Sequence, residues 1–415
     1  MNRRQFLGGA ALSGVSLACA AEDPAARSPN PKVRAITAFL KLDRARYGEQ
    51  VQETLQMLRR AKRLVEAAGY PVETIRIATQ PFPEYTRGLS PADTLRFFGD
   101  YDALAIRESF AANIGPAMLR DGDDPAQAQT LGQILSAAKS LKASLIMAGE
   151  DGIQWKCVRA AAALVKFVVE HSPGSAANFN FAATAMVAPY GPFYPGAYHL
   201  GEGRRFAIGT EAANVVDWVF AQSVGDAPAA AARLTRELSA HAVALEKLAQ
   251  QAERESGWTY MGIDATPAPL REVSIGAAIE KFTGDRFGSS GTMTAAAVIT
   301  KAVQSVPAKR VGFSGLMLPV MEDSLLAQRW SEGAYDVDAL LAYSAVCGTG
   351  LDTIPMPGDA SARQIERILG DVASLAVKWK KPLTARLLPV KGKKVGDRTE
   401  FTDPSLVNTG IRAVR

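Results

Sequence analysis

The sequence predicts an α/β protein in which roughly ten strands alternate with helices and build one large sheet, either closed into a barrel or left open and doubly wound. Three observations carry this. Apolar periodicity switches repeatedly between two and 3.6 residues from Val33 onward, the mark of strand and helix in turn. The composition is globular, 47% hydrophobic and 21% charged over 415 residues, enough to bury a large core. No period of about 20–50 residues recurs, which excludes a solenoid, and no long polar linker divides residues 33–415, so they read as a single domain.

The elements follow in order. Val33–Leu40 (VRAITAFL) has the β-branched, apolar character of a strand. Glu49–Ala68 places Val51, Leu55, Leu58, Leu64 and Val65 at helical spacing and stops at Gly69. Val72–Ala78 (VETIRIA) is again a strand, so 33–78 is a βαβ unit. Ser90-Pro91 is a helix cap with a first-turn proline, opening a short helix through Phe98. Strands are predicted at Asp102–Ile106, Ser144–Met147, Asn178–Val187 and Arg205–Gly209, and helices at 127–142, 153–170 and 210–222. Residues 228–255 form an amphipathic helix with Leu234, Leu238, Leu245 and Leu248 on one stripe. Strands at 258–264, 310–317 and 383–390 and helices at 274–283, 292–304, 336–346 and 361–377 complete the reading.

Ahead of this body, Met1-Asn2-Arg3-Arg4-Gln5-Phe6-Leu7 and the short apolar run to Ala18 have the pattern of a twin-arginine export signal over residues 1–20. Ala18 and Ala20 make a small-residue cleavage site before Ala21; acylation of Cys19 is the less favoured alternative, because Ser16 stands where a lipoprotein motif places leucine. The run is too short to span a bilayer, which takes about 20 residues. Residues 21–32 carry three prolines and read as a flexible tether. The expected location is periplasmic or otherwise extracytoplasmic. The formal charge is +5, to which Arg3 and Arg4 of the leader contribute, too little to imply a nucleic-acid partner. Beyond the leader only Cys157 and Cys347 remain, which excludes a disulfide framework, and three histidines leave no Cys/His zinc module.

Irregular segments rich in Gly, Pro and acid interrupt the alternation: Gly191–Glu202 (GPFYPGAYHLGE), Gly262–Pro269 (GIDATPAP), Gly288–Thr292 (GSSGT), Gly312–Asp323 (GFSGLMLPVMED) and Cys347–Asp352 (CGTGLD). In this order, with Thr384–Val390 (TARLLPV) near the end, they resemble the domain of unknown function family 711 over nearly all of residues 33–395. The resemblance implies a ten-stranded α/β barrel like that of pyruvate formate-lyase and the ribonucleotide reductases, and implies no particular reaction. Two departures stand out: Ser290 occupies a position where the family pattern has a histidine, and no early cysteine occurs near Ser109–Gly115. Arg310-Val311-Gly312-Phe313 is no glycyl-radical loop, since it lacks the intervening residue and lies far from the C-terminus.

The chemistry-bearing candidates sit in these segments. His199 and Glu202 share one loop and can exchange a proton or hold a substrate, and Cys347, ahead of Gly348 and Gly350, is the candidate nucleophile, a buried inert thiol being the alternative. Asp264, Glu322, Asp323 and Asp352 are the oxygen donors for a divalent cation, Mg²⁺ or Ca²⁺, although Asp323 ahead of Ser324-Leu325-Leu326 also reads as a helix cap. Gly288, Ser290, Gly291 and Thr292 open a helix with free N–H groups suited to an anionic cofactor. His241, on the leucine stripe, reads as a core or rim histidine. The expectation is an exported enzyme on a small polar or anionic substrate, a metal-assisted hydrolase or lyase. The alternative is a non-catalytic ligand-binding or sensing module. Its partner is a small molecule; a homo-oligomer is compatible, and neither nucleic acid nor a transmembrane segment is expected.

Overall fold

The structure, a computed structural model, describes residues 28–414; the export-signal and Cys19 readings fall outside the described residues. β1 (Lys32–Leu40), α1 (Tyr47–Ala67) and β2 (Val72–Thr79) form the expected βαβ unit, with parallel strands that pair Ile36 with Ile75. α2 (Phe82–Thr86) and α3 (Pro91–Glu108) follow. Ser90 caps α3 by accepting the Asp93 N–H, and Ser109 ends it in the left-handed region. Asp102–Ile106, expected as a strand, is the last stretch of α3. Phe97, Phe98, Tyr101, Leu104 and Ala105 bury one helical face, and the four-residue apolar run Ala103–Ile106 fits either period. The strand comes next, β3 (Ala111–Pro116), hidden from propensity by its Gly and Pro. Gly115 is required there: at φ +75° a Cβ would lie 2.3 Å from the Gln80 carbonyl oxygen.

α4 (Ala126–Ala137), β4 (Lys142–Gly149), β5 (Gly152–Ile153), α5 (Trp155–His171), β6 (Phe181–Ala185) and β7 (Arg205–Glu211) continue the alternation. After them come α6 (Ala213–Phe220), α7 (Ala227–Ser256), which buries Leu234, Leu238 and Leu245 as its stripe predicts, and β8 (Thr259–Asp264). The last elements are α8 (Ile275–Thr283), α9 (Thr292–Gln304), α10 (Ser324–Glu332), α11 (Val337–Ser344), β9 (Gly350–Pro357), α12 (Ala362–Trp379) and β10 (Leu383–Val390). Residues 310–317, expected as a strand, form none, because Gly312 and Ser314 take positive φ and break the pleat. β9 was not anticipated: its Gly350, Pro355 and Pro357 argue against a strand by propensity, yet it pairs with β10 along its length.

The sheet order is β8-β7-β1-β2-β3-β4-β6-β10-β9, with β5 beside β4. β1, β2, β3, β4 and β6 run parallel, and the pairs β7–β8 and β9–β10 flank them in the opposite direction. The sheet is mixed, and its edge strands β8 and β9 are not hydrogen-bonded to each other. Residues 309–320 touch both edges. Ile263 N–H donates to the Lys309 carbonyl (2.7 Å), Val311 N–H to the Ile263 carbonyl (3.1 Å) and Val320 N–H to the Asp352 carbonyl (3.0 Å). The helices pack side by side in the series α3, α4, α5, α12, α11, α9, α7, α1. Tyr47 of α1 then meets Phe97 of α3 edge-on at 5.2 Å, so the series returns to its start.

The sheet is strongly curled. β1 and β10 are five positions apart in strand order, about 24 Å in a flat sheet at 4.8 Å per strand. Arg34 of β1 and Arg386 of β10 nevertheless pair with the same carboxylate, Glu322. Among the described residues no helix is long and apolar enough to cross a membrane.

Candidate functional site

The curl encloses a cavity of about 200 Å³. Its charged lining comes from the strands: Arg34 on β1, Glu73 and Arg76 on β2, Lys142 on β4, Asp352 on β9 and Arg386 on β10. Phe193, Tyr194, Phe313 and Met317, from the irregular segments, supply an apolar and aromatic wall. Side chains alternate faces along a strand, which turns Arg76 inward with Thr74, whereas Glu73, of opposite parity and exposed, reaches the lining from the strand end.

Most of these charges neutralise one another. Glu322 takes Arg34 Nη2 on one oxygen (3.0 Å) and Arg386 Nη2 on the other, while Arg386 Nε donates to Asp352. Arg34 Nη1 also reaches Glu211 (2.9 Å) and Glu73 (3.2 Å). Burial works against the charge on Arg386, but Asp352 and Glu322 more than offset it and raise its pKa. Glu211 and Glu73 lie within hydrogen-bonding reach of each other. Burial, the hydrogen bond to Glu73 and its charge push the Glu211 carboxyl up despite Arg34. Burial also raises Glu73, but the hydrogen bond from Glu211 and the Arg34 guanidinium outweigh it and hold its carboxyl low. Of the two, Glu211 is the carboxyl that takes up a proton more readily.

Two cations are left over. Arg76 is 8% exposed. Its Nε donates to Thr74 Oγ1 (2.8 Å) and its guanidinium carbon lies 4.9 Å from the centre of the Tyr194 ring, but among the described residues it forms no ion pair. Burial and the neighbouring Arg34 pull it down to about 10. Lys142 is half-buried, and its Nζ has one long contact, 3.4 Å to the Ser140 carbonyl. Burial first, and Arg76 second, bring its pKa to about 8. A buried cation without a partner costs several kcal/mol. Arg76 is such a cation, and with the half-buried Lys142 beside the same cavity it forms the arrangement an anion would complete.

The candidates named from the sequence are dispersed around this cavity. Glu322 and Asp352 line it, bound to Arg386. Asp264 lies behind the wall, accepting the N–H groups of Phe313 (2.7 Å), Ser314 (3.1 Å) and Thr266 (3.1 Å). Asp323 is a helix cap, accepting the Leu325 and Leu326 N–H groups (both 3.0 Å). Glu322 and Asp352 meet at Arg386 while Asp264 and Asp323 are taken up by backbone N–H groups, and among the described residues no group of three or more His, Cys, Asp or Glu is placed to hold a metal ion. His199 does not line the cavity. It is buried and donates from Nε2 to the Gly201 carbonyl (3.0 Å). Burial lowers its pKa to about 4. Glu202 is exposed and pairs with Lys41. Cys347 is buried, with Sγ 3.9 Å from Ser344 Oγ, and also stands outside the lining. Its neighbour Gly348 packs against Gly315 so closely that a Cβ on either would meet the other's Cα at 2.6 Å. In the Gly288–Thr292 loop, Thr292 Oγ1 accepts the Gly288 N–H (3.1 Å), Gly291 precedes α9, and Ser290 is exposed. That loop packs on Ala334, away from the cavity lining.

Arg34, Glu73, Arg76, Lys142, Glu211 and Arg386 escaped the sequence reading, which searched the loops. For the arginines the signal was present: VRAITAFL, VETIRIA and TARLLPV each carry one inside a largely apolar strand. An ionised side chain there must face a partner or a ligand.

Fold and site together define a mixed α/β protein with a charged, aromatic-walled cavity inside a curled ten-stranded sheet. The chain belongs to the family described as Uncharacterised ACR (DUF711), whose model matches residues 26–403. A UPF0210 protein of Pyrobaculum aerophilum is 32% identical over 373 residues, covering 84% of this chain and 80% of its own length. UPF0210 proteins of Neisseria meningitidis serogroup B (28% identical, 82% of this chain and 79% of theirs) and Leuconostoc mesenteroides (26%, 83% and 80%) are similar over the same extent.

Proposed function

We propose that this protein is an exported enzyme acting on a small organic anion held in the cavity. The observation that carries the reading is Arg76, a buried guanidinium that faces the cavity without a carboxylate partner. A cavity of 150 Å³ suffices for benzene, so about 200 Å³ suits an occupant of on the order of ten non-hydrogen atoms. The aromatic wall suits its carbon skeleton and the cations its carboxylate or phosphate. Glu73, in the cavity lining, and Glu211, which shares Arg34 with it, form an acid–base pair beside the same space. That Glu322 and Asp352 are held by arginines favours proton transfer over metal assistance as their setting. Curl of the sheet and the returning series of helices support closure into the pyruvate formate-lyase-like barrel. The Arg3-Arg4 leader supports export by the twin-arginine route.

Calorimetric titration with pyruvate, lactate and inorganic phosphate tests the site. Binding of at least one is expected, with Arg76→Met weakening it about 10–100-fold, the loss of a charge-assisted hydrogen bond of about 1.5–3 kcal/mol. Equal affinity in the variant, or no binding by any of the three, overturns the reading.

A further inference from the structure

Lys142 and Arg76 border the same cavity yet differ in what they can do. A guanidinium stays charged and can only bind; an amine that loses its proton can also attack. Lys142 stands at the first position of β4, where Asn113 of β3 is its backbone partner, and it shares the cavity lining with Arg76, Arg386, Glu322 and Asp403. None of these acids forms an ion pair with it among the described residues, and its only hydrogen-bond partner there is the Ser140 carbonyl at 3.4 Å. A surface lysine would be solvated, and a structural half-buried lysine would be paired, as Lys381 is with the Ser344 carbonyl at 2.8 Å and with that of Cys347. Lys142 is neither. The neighbouring guanidinium and the apolar wall are the two surroundings that make a lysine nucleophilic near neutral pH.

Resting on the anion-site reading above, we infer that Lys142 forms an imine with a carbonyl-bearing organic anion, an oxo acid, whose carboxylate is held by Arg76. In the step, the Nζ lone pair forms the C–N bond as the carbonyl π pair moves to oxygen. A proton passes from nitrogen to that oxygen, giving a neutral carbinolamine. The hydroxyl then takes a second proton, from the pair Glu73–Glu211, and leaves as water. The product is a protonated imine, and the acid pair is left one proton poorer. The cationic carbon–nitrogen bond then draws electrons from the bond next to it, as the chemistry of decarboxylation or of carbon–carbon cleavage requires. No oxidant or further reactant enters.

Borohydride trapping tests this. The full-length protein is incubated with pyruvate, glyoxylate or phenylpyruvate, reduced with sodium borohydride, and mapped by peptide mass spectrometry. Hydride adds to the imine carbon and fixes a secondary amine. The expected result is one adduct at Lys142, at least about tenfold above any surface lysine, absent in Lys142→Arg and suppressed by excess lactate, which has the carboxylate but no carbonyl. A second variant, Lys142→Met, guards against misfolding and is compared by its melting curve. Adducts scattered over surface lysines, or none with any oxo acid, overturn the imine. If lactate and pyruvate then still bind in an Arg76-dependent way, the anion site stands without it; if they do not, both readings fall.

Discussion

Asp323 is buried completely and accepts five hydrogen bonds at the junction of two helices. Oδ1 takes the N–H groups of Leu325 and Leu326 at the start of α10, and the Ser274 hydroxyl at 2.6 Å. Oδ2 takes the N–H groups of Ile275 (2.7 Å) and Gly276 (3.2 Å) at the start of α8. Each helix leaves its first N–H groups without internal partners, and one carboxylate serves both. Asp323→Ala removes two caps, about 1–2 kcal/mol each, and the serine bond, about 1 kcal/mol. The sum is about 3–5 kcal/mol. Asp323→Asn keeps Oδ1 but turns Oδ2 into a donor facing two donors, so it loses the α8 cap alone, about 1–2 kcal/mol. Extending the inverse dependence on chain length, each kcal/mol lowers Tm by about 1–2 °C here. Differential scanning calorimetry should therefore rank wild type, Asn and Ala in descending order, with Ala about 3–10 °C below wild type. A fall below about 1 °C for Ala, or Asn at or below Ala, would refute the shared-cap account.

His199 makes stability depend on acid. Its folded pKa, about 4, lies below the ordinary value of 6.5 because the ring is buried. As pH falls, the unfolded chain takes up the proton first, so the contribution is whole above about pH 6.5 and shrinks toward pH 4, by about 3 kcal/mol at 1.36 kcal/mol per unit. His199→Gln should flatten the denaturation midpoint over that window, and an unchanged slope would refute the assignment. For export, replacing Arg3-Arg4 with Lys-Lys should retain the protein in the cytoplasm on cell fractionation. Normal recovery outside it would exclude the twin-arginine route.

Where period and cap agreed, the sequence was legible. β1, α1 and β2 lie where the apolar spacing puts them, and the leucines of α7 face the core. Asp323 was recognisable as a cap because three residues suffice to show it. Strands failed where short apolar runs fit both periods, as at Asp102–Ile106, or where Gly and Pro hide a strand held by its neighbours, as in β3 and β9. His241 is the rim histidine its place on the stripe suggests, but its partners could not be read locally. Its stripe of leucines suggests an apolar neighbourhood, but its ring nitrogens meet Ser28 Oγ (3.0 Å) and Tyr70 Oη (3.2 Å), residues remote in sequence.

The sequence by itself determined the α/β class, the main helices and the family, because local periodicity and ordered motifs are properties of neighbouring residues. Only the tertiary structure decided which charges meet. Arg34, Arg76, Lys142 and Arg386 come from four strands scattered along the chain, and Glu322 from a loop, and they become one cavity because the sheet curls. His199, Glu202 and Cys347, conspicuous in their loops, are left outside its lining by the same curvature. Period-two alternation states which face a side chain takes, but not whether that face is concave; long-range strand pairing sets that, and with it the site.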